Sequence, residues 1–238
     1  MCTVALVQAR MGSSRLPMKA LLCLRGMPII DWVVRRVARA GLLDRIVVAI
    51  PDTPLDEVLA AHVQERLMPL DKRIAVFCGA ENDVLERFRA AGEIFGADRV
   101  VRVCADNPLI WGEEIDNLIR FFEATGCDYA YNHIPRNNRY PDGLGAEILS
   151  FALLDELASR ATEPEHREHC LSYLWDNAQH FTMRTFDPQN PKLCHPELKL
   201  DVDNQEDFRR LALMPLHVDI SPLEIVELCH AGRYKPNP

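Results

Sequence analysis

Two hydrophobic periods alternate along residues 1–125, and this alternation limits the possible folds more than any other feature of the chain. Short β-rich runs stand at Thr3–Gln8, Arg45–Ile50, Ile74–Phe77 and Arg99–Cys104. Between these runs, apolar residues recur three and four positions apart, which is the spacing of a helix with one buried face. The helices predicted in this way cover about 28–40, 53–66, 82–96 and 112–125. Strands separated by helices of this length are typical of βαβ units and a parallel sheet.

The pattern is looser from about residue 128 to 186. A polar stretch followed by the strand-like sequence GAEILS predicts an insertion, or an antiparallel segment across the mouth of the sheet. Further predicted elements are helices at Phe151–Arg160 and Glu165–Asn177, strands at Phe181–Phe186 and Leu198–Val202, and a helix from about Gln205. The sequence has no internal repeat, low-complexity tract or flexible linker, so we expect one domain over residues 1–238.

The predicted fold class is α/β: a mixed, mainly parallel twisted sheet with helices on both faces, of the Rossmann-like kind. Ligands of such sheets bind outside the carboxyl ends of the strands. Polar or charged loops follow the predicted strands that end at Gln8, Ile50, Phe77 and Cys104, so we expect the functional residues there.

Composition and charge exclude several classes of protein. Nearly every apolar run is short and interrupted by charge, so we expect no membrane span. The N-terminus has none of the features of a signal peptide, which favours a cytoplasmic location. The net charge of −8 argues against nucleic acid as a partner, because general binding requires a basic surface. The eight cysteines show no CxxC spacing, so we expect no zinc or redox motif among them.

A cationic loop follows the first predicted strand. Its sequence, QARMGSSRLPMK, has one glycine, two serines and no acidic residue. Exposed backbone N–H groups and full positive charges are what a polyphosphate requires, although the Walker pattern is missing. A basic surface loop is the simpler alternative, but three cations without counter-charges would repel each other. The candidate phosphate ligands are Ala9, Arg10, Gly12, Ser13, Ser14, Arg15 and Lys19, whereas Met11 and Leu16 are predicted to pack.

Three aspartates are candidate metal ligands. Asp106 follows an apolar strand, and Asp201 and Asp203 alternate with apolar Leu200 and Val202, so both of these carboxylates emerge on one side. If they face Asp106, they form an oxygen-only site suited to Mg²⁺. Asp203 has an alternative role as the cap of the following helix or as one acid of a cluster.

The loop resembles the signature of sugar-activating cytidylyltransferases, roughly ARxGSxRxPxK. These include CMP-sialate synthetases and CMP-3-deoxy-manno-octulosonate synthetases, and the match is nearer to the spore-coat polysaccharide cytidylyltransferase-like family. Further matching pieces are GAENDVLERF at 79–88, RVCADNPLI at 102–110, YPDGLGAEILS at 140–150, REH at 167–169 and DVDNQEDF at 201–208. The chain departs from the pattern at Ala105 and Trp111, where relatives commonly have Gly and Asp.

The resemblance implies a fold of the nucleotide-diphospho-sugar transferase kind and an enzyme that moves a cytidylyl group from CTP to a sugar or sugar acid, releasing pyrophosphate, for glycan synthesis. It implies Mg²⁺ on Asp106 and Asp203, with Asp201 binding a second Mg²⁺ or acting as base, and catalytic roles for Arg10 and Lys19. It also implies possible homodimerisation. Gly79 and Asn82 would approach the base and ribose, although a glycine turn with a helix cap explains them equally well.

Recognition of the acceptor is expected in the looser middle segment. Candidate side chains there are Asn132, Tyr140, Asp142, Glu147, Arg167 and His169. Three alternative functions stay open: a glycosyltransferase that uses a nucleotide sugar, a non-catalytic nucleotide-binding protein, and an enzyme that uses UTP or dTTP as donor.

Overall fold

The computed structural model describes residues 1–233 of the chain. Its strands are β1 (Thr3–Gln8), β2 (Cys23–Leu24), β3 (Met27–Pro28), β4 (Arg45–Pro51), β5 (Ile74–Gly79), β6 (Arg99–Cys104), β7 (Tyr129–Tyr131), β8 (Glu147–Ser150) and β9 (Met183–Thr185). Its α-helices are α1 (Ile29–Val37), α2 (Glu57–His62), α3 (Val84–Ile94), α4 (Gly112–Thr125), α5 (Phe151–Arg160), α6 (Pro164–Glu168), α7 (Ser172–Asp176), α8 (Gln205–Leu213) and α9 (Pro222–Leu228).

Seven of these strands form one sheet in the order β5-β4-β1-β6-β8-β7-β9. Strands β5, β4, β1 and β6 are mutually parallel, and β8 alone runs against its neighbours β6 and β7. The fold class predicted from the alternating periods is confirmed: the sheet is mixed and mainly parallel. Strands β2 and β3 pair separately as a short antiparallel ribbon.

Helices cover both faces of the sheet because strand residues alternate between two cores. On β1, Ala5 and Val7 pack with α1 and α4 in one core, whereas Val4 and Leu6 pack with α3 and α5 in the other. The same alternation of side chains explains why the β-rich runs read as apolar throughout. Within residues 1–233, no helix has the length and apolar character that crossing a bilayer requires.

Two strands and two helices have the boundaries predicted from the sequence. Strands β1 and β6 and helices α4 and α5 span the predicted residues. The helix predicted from Thr53 begins instead at Glu57, because the side chains of Thr53 and Asp56 bond to each other at 2.6 Å and Asp56 also binds a neighbouring loop.

Two predicted elements are wrong. The helix predicted over 165–177 is interrupted between α6 and α7, where Cys170 and Leu171 turn into the core. The strand predicted at 198–202 is not in the sheet, and only Lys199 forms a bridge, with Asp142. The apolar residues of that segment are nevertheless buried alternately, because its backbone bonds to Asp142 and Asp106 instead of to a strand.

Candidate active site

A cleft of about 210 Å³ opens at the carboxyl ends of β1 and β6. The strand order reverses at this point, since β4 and β5 continue to one side of β1 and the chain then returns to β6 on the other side. Reversal points of this kind are where open α/β sheets bind ligands. The lining residues are Gln8, Ala9, Arg10, Ser13, Ser14, Arg15, Lys19, Ala20, Arg102, Cys104, Ala105 and Asp106.

The loop after β1 is fixed by buried contacts. Met11 and Leu16 are buried, as predicted for packing residues. The Met11 N–H donates to Asp56 Oδ1 at 2.7 Å, and the Met18 N–H donates to the Met11 carbonyl at 3.1 Å. With its apolar side chains held below, the loop presents its polar and cationic residues to the cleft.

The loop cations lie beside carboxylates from distant parts of the chain. Lys19 Nζ is 3.1 Å from Asp106 Oδ2 and donates to the Val202 carbonyl at 2.8 Å. Arg15 Nη2 is 3.0 Å from Asp203 Oδ1. Arg10 Nη1 is 3.6 Å from a carboxylate oxygen of Glu168. The loop and the predicted aspartates therefore converge on one site. The negative counter-charges that the loop itself lacks are supplied by carboxylates from distant parts of the chain.

A carboxylate cluster, formed by Asp106, Asp142, Asp201 and Asp203, borders this cleft. Lys199 Nζ lies 3.1 Å from Asp201 Oδ1 and 3.3 Å from Asp203 Oδ2. Burial, with the charge of Asp201, raises the pKa of Asp142 to about 7. Burial also raises the pKa of Asp201 to about 6, against the opposing charge of Lys199. The cluster thus holds more negative charge than its lysines neutralise.

The donor chemistry of this cluster fits Mg²⁺, which prefers oxygen ligands and bridges carboxylates to phosphates. Asp142, predicted to bind the acceptor, lies in this cluster. Asp203 does not cap α8, because Asn204 does so through its own side chain. Among residues 1–233, the oxygens of Asp106, Asp201 and Asp203 do not all lie within 4.8 Å of one another. The Nζ atoms of Lys19 and Lys199 bind Asp106 and Asp201, respectively.

Gly143 allows the segment before β8 to approach the cluster. Its φ is +88°, and a Cβ there would lie 2.9 Å from the Asp201 nitrogen. We expect Gly143→Ala to lower the free energy of unfolding by at least about 2 kcal/mol, from left-handed strain and overlap together. Gly126, with φ +60° and open space around it, is the control: Gly126→Ala should cost about 1 kcal/mol. If urea unfolding gave equal losses of stability for Gly143→Ala and Gly126→Ala, the close approach of Gly143 to Asp201 would be contradicted.

Asn132 and Tyr140, predicted to bind an acceptor, are core residues. Both are fully buried. The Asn132 side chain donates to the Glu114 carbonyl at 3.0 Å and accepts from the Ala146 N–H at 2.9 Å. The Tyr140 hydroxyl lies 2.6 Å from Glu114 Oε2. Their polar atoms hold the segment before β8 against α4, and neither residue lines the cleft.

Arg167, Gly79 and Asn82 also lie outside the lining of this cleft. Arg167 donates to Asp83 Oδ2 through Nε at 2.8 Å and to backbone carbonyls of the α5 end. Asp83 also accepts the Glu86 N–H at 2.8 Å and so caps α3. A Cβ on Gly79 would meet the Phe77 ring at 2.7 Å, and Asn82 is exposed. The simpler interpretation, a tight turn followed by a cap, accounts for this region.

A second cleft, of about 160 Å³, adjoins the first through Arg102, which lines both. Its lining residues are Arg102, His133, Glu147, His169, Leu171, Ser172 and Trp175. Glu147 and His169, two of the predicted acceptor residues, are thus at a cavity. Glu147 pairs with Arg102 and with Tyr129, and His133 Nε2 lies 3.3 Å from Glu147 Oε1. Burial lowers the pKa of His133.

Residues 4–216 match the family model described as Cytidylyltransferase. This match extends over most of the 238 residues. The chain belongs to the cytidylyltransferase family. The resemblance inferred from the loop signature is thereby confirmed.

Relatives of this cytidylyltransferase include two kinds of protein. The spore coat polysaccharide biosynthesis protein SpsF of Bacillus subtilis (strain 168) is 27% identical over 232 residues, covering 94% of the chain and 92% of that protein. The 3-deoxy-manno-octulosonate cytidylyltransferase of Syntrophobacter fumaroxidans is 35% identical over 125 residues, covering 52% of the chain and 47% of that enzyme.

Solved structures share the architecture. A cytidylyltransferase from Leptospira borgpetersenii superposes with a TM-score of 0.85 at 25% identity, over 97% of the chain and 94% of that structure. CMP:2-keto-3-deoxy-manno-octonic acid synthetase complexed with CTP gives 0.64 at 17% identity, over 89% and 97%. Rv0371c of Mycobacterium tuberculosis in complex with manganese gives 0.62 at 18% identity, over 89% and 98%. The last two likenesses establish the fold alone.

Sequence reasoning missed several residues that shape the two clefts. Arg102 interrupts an apolar strand, and a charge there requires a buried partner, so a signal existed. Asp56 fixes the loop after β1 and Lys199 bridges the carboxylates, yet both follow patterns common to surface residues. Trp175 lines the second cleft from a segment predicted only as helix.

Proposed function

We propose that this cytidylyltransferase transfers the cytidylyl group of CTP to a hydroxyl of a sugar or sugar acid and releases pyrophosphate. One observation carries the proposal: the loop cations and the strand-end carboxylates meet in a single cleft, with Lys19 Nζ 3.1 Å from Asp106 Oδ2. A site with both charges can hold a triphosphate and the cation that accompanies it. The relative SpsF supports a role in polysaccharide synthesis, which we place in the cytoplasm.

The phosphate-binding role is assigned to the loop after β1. Arg10 and Lys19 neutralise the charge that develops on the departing pyrophosphate, and Arg15 and the serines line the same turn. Fixed donors directed at developing charge contribute several kcal/mol in such sites. Cytosine and ribose would lie against the remaining strand-end loops, and the structural neighbour that holds CTP supports this choice of donor.

Asp106 and Asp203 would hold Mg²⁺, with Asp201 as a further ligand or base. The bound ion supplies charge neutralisation and orientation of the α-phosphate. Asp201 has a raised pKa because of burial and its acidic neighbours, which suits acceptance of the proton from the attacking hydroxyl. A neighbour of similar fold that holds manganese supports the use of a divalent ion.

The second cleft is assigned to the acceptor. Arg102 joins it to the nucleotide cleft, so an acceptor there lies next to the phosphates. The charge of Arg102 is balanced by Glu147, and the remaining lining offers imidazole and hydroxyl groups with one tryptophan. Such a lining suits the hydroxyls and the apolar face of a sugar ring.

The proposal is tested by pyrophosphate release from CTP and Mg²⁺ with a panel of acceptors: keto-acid sugars, amino sugars and polyol phosphates. We expect release that requires both CTP and one acceptor class, with at least about a tenfold lower rate for UTP, dTTP, ATP and GTP, because a pocket that bonds the base rejects unmatched partners. Lys19→Met should abolish acceptor-dependent release. Transfer from a nucleotide sugar without pyrophosphate release would instead establish a glycosyltransferase.

A further inference from the structure

Two histidines and a glutamate meet on the surface, outside both clefts. His195 Nδ1 is 2.8 Å from Glu197 Oε1, and His230 Nε2 is 3.8 Å from the same oxygen. One ligand atom from each residue lies within 4.8 Å of the other two. The imidazole rings of His195 and His230 have centroids 4.5 Å apart at an angle of 69°. None of the three residues lines the nucleotide or acceptor clefts.

The backbone holds this trio in place before any ligand binds. The Leu198 N–H donates to the His195 carbonyl at 3.1 Å, which closes a turn with Pro196 at its second position. That turn brings His195 and Glu197 to the same side. His230 lies on the helical extension Cys229–Arg233 that follows α9. Cys229 and Leu193 are buried in a common core, so the turn and the helix are packed together.

We propose that His195, Glu197 and His230 form a binding site for a divalent transition metal of the Zn²⁺ and Co²⁺ kind. Imidazole and carboxylate ligands at about 2.0–2.1 Å from a tetrahedral ion are about 3.3 Å from each other, and the observed separations of 2.8 and 3.8 Å bracket this value. The hydrogen bond between His195 and Glu197 alone needs no metal. A pair of His195 and Glu197 does not explain why His230 lies near the same carboxylate oxygen, whereas a shared metal ion does.

The site differs in chemistry from the carboxylate cluster. Two nitrogen ligands favour Zn²⁺, Co²⁺ and Ni²⁺ over Mg²⁺, which prefers oxygen alone. Glu197 and His230 are about half exposed, with side-chain exposures of 55% and 51%, so a water can complete the coordination. A bound ion would join the 195–198 turn to the C-terminal helix. Excess metal should therefore raise the midpoint of thermal unfolding.

The experiment titrates Co²⁺ into the full chain, without a polyhistidine tag and with millimolar Mg²⁺ present to occupy oxygen-only sites. Visible absorption and calorimetry report the binding. We expect one Co²⁺ per chain, with affinity lowered on the order of 100-fold in His195→Ala and in His230→Ala. At 100 times its dissociation constant, Co²⁺ should raise the unfolding midpoint by roughly 5–10 °C.

His180→Ala, at an exposed histidine of another segment, is the matched control and should bind like the unaltered chain. Glu197→Gln supplies a third variant of the trio that retains side-chain size, and circular dichroism in EDTA verifies that each variant is folded. Equal Co²⁺ affinity in the unaltered chain and in the His195 and His230 variants would overturn the proposal. So would the absence of binding at millimolar Co²⁺. Neither result would affect the proposed cytidylyl transfer, which is measured separately.

Discussion

Replacing Asp106 by Asn is expected to lower the rate of pyrophosphate release from CTP on the order of 1000-fold, with CTP affinity changed only a few-fold. The substitution keeps the size of the side chain and removes its charge. Asp106 is 30% exposed and faces the cleft from the end of β6, beside Lys19. If it holds the cation that accompanies the triphosphate, transfer depends on it, whereas the loop cations still bind the phosphates.

A matched control is available at Asp187, which is also ion-paired but lies outside the cleft, 2.8 Å from an Arg139 nitrogen and 43% exposed. Asp187→Asn should leave turnover within about twofold, because an exposed ion pair contributes little. Single-turnover release measured with saturating CTP separates binding from chemistry. A turnover in Asp106→Asn within tenfold of the unaltered enzyme would refute the proposed role of this carboxylate.

The position of the site could be predicted from the sequence because topology decides it. Parallel strands bring their carboxyl ends to one edge, so the loop after Gln8 and the residues after Cys104 had to lie close together. The alternation of Asp201 and Asp203 with Leu200 and Val202 is enough to predict that both carboxylates emerge on one side of the segment. This holds although the segment lies outside the sheet. A period of two requires only extended backbone with one buried face.

The acceptor side could not be predicted in the same way. Asn132 and Tyr140 are polar residues in a loop-rich segment. Ligand-binding residues show the same local sequence pattern. Their hydrogen bonds go to Glu114, whose position depends on how α4 packs against this segment. Satisfaction of a buried polar group is a tertiary property that the local pattern does not contain. Arg102 is different, since a charge within an apolar strand indicates a buried partner.

Replacing Glu147 by Gln is expected to lower the free energy of unfolding by about 3 kcal/mol at pH 8, because it leaves Arg102 without its charged partner. The Glu147 side chain is only 3% exposed, and that of Arg102 is 19% exposed. The Tyr129 hydroxyl bonds to the other carboxylate oxygen at 2.5 Å. Urea unfolding measures the loss. Glu123→Gln, which removes the partner of Arg99 on the same strand but at 48% exposure, should cost less than about 1 kcal/mol.

The pH dependence of the stability loss in Glu147→Gln distinguishes loss of the ion pair from disturbed packing. Burial alone would raise the pKa of Glu147, but Arg102 and His133 hold it below its usual value of 4.5. A carboxyl with a lowered pKa in the folded state contributes stability above its unfolded pKa and loses it as the pH falls through the folded value. The difference in free energy of unfolding between the unaltered chain and Glu147→Gln should therefore be constant from pH 6 to 8. It should become smaller below pH 4.5. A difference that stays constant down to pH 3 would mean that the variant disturbs packing and that the ion pair between Arg102 and Glu147 contributes nothing to stability.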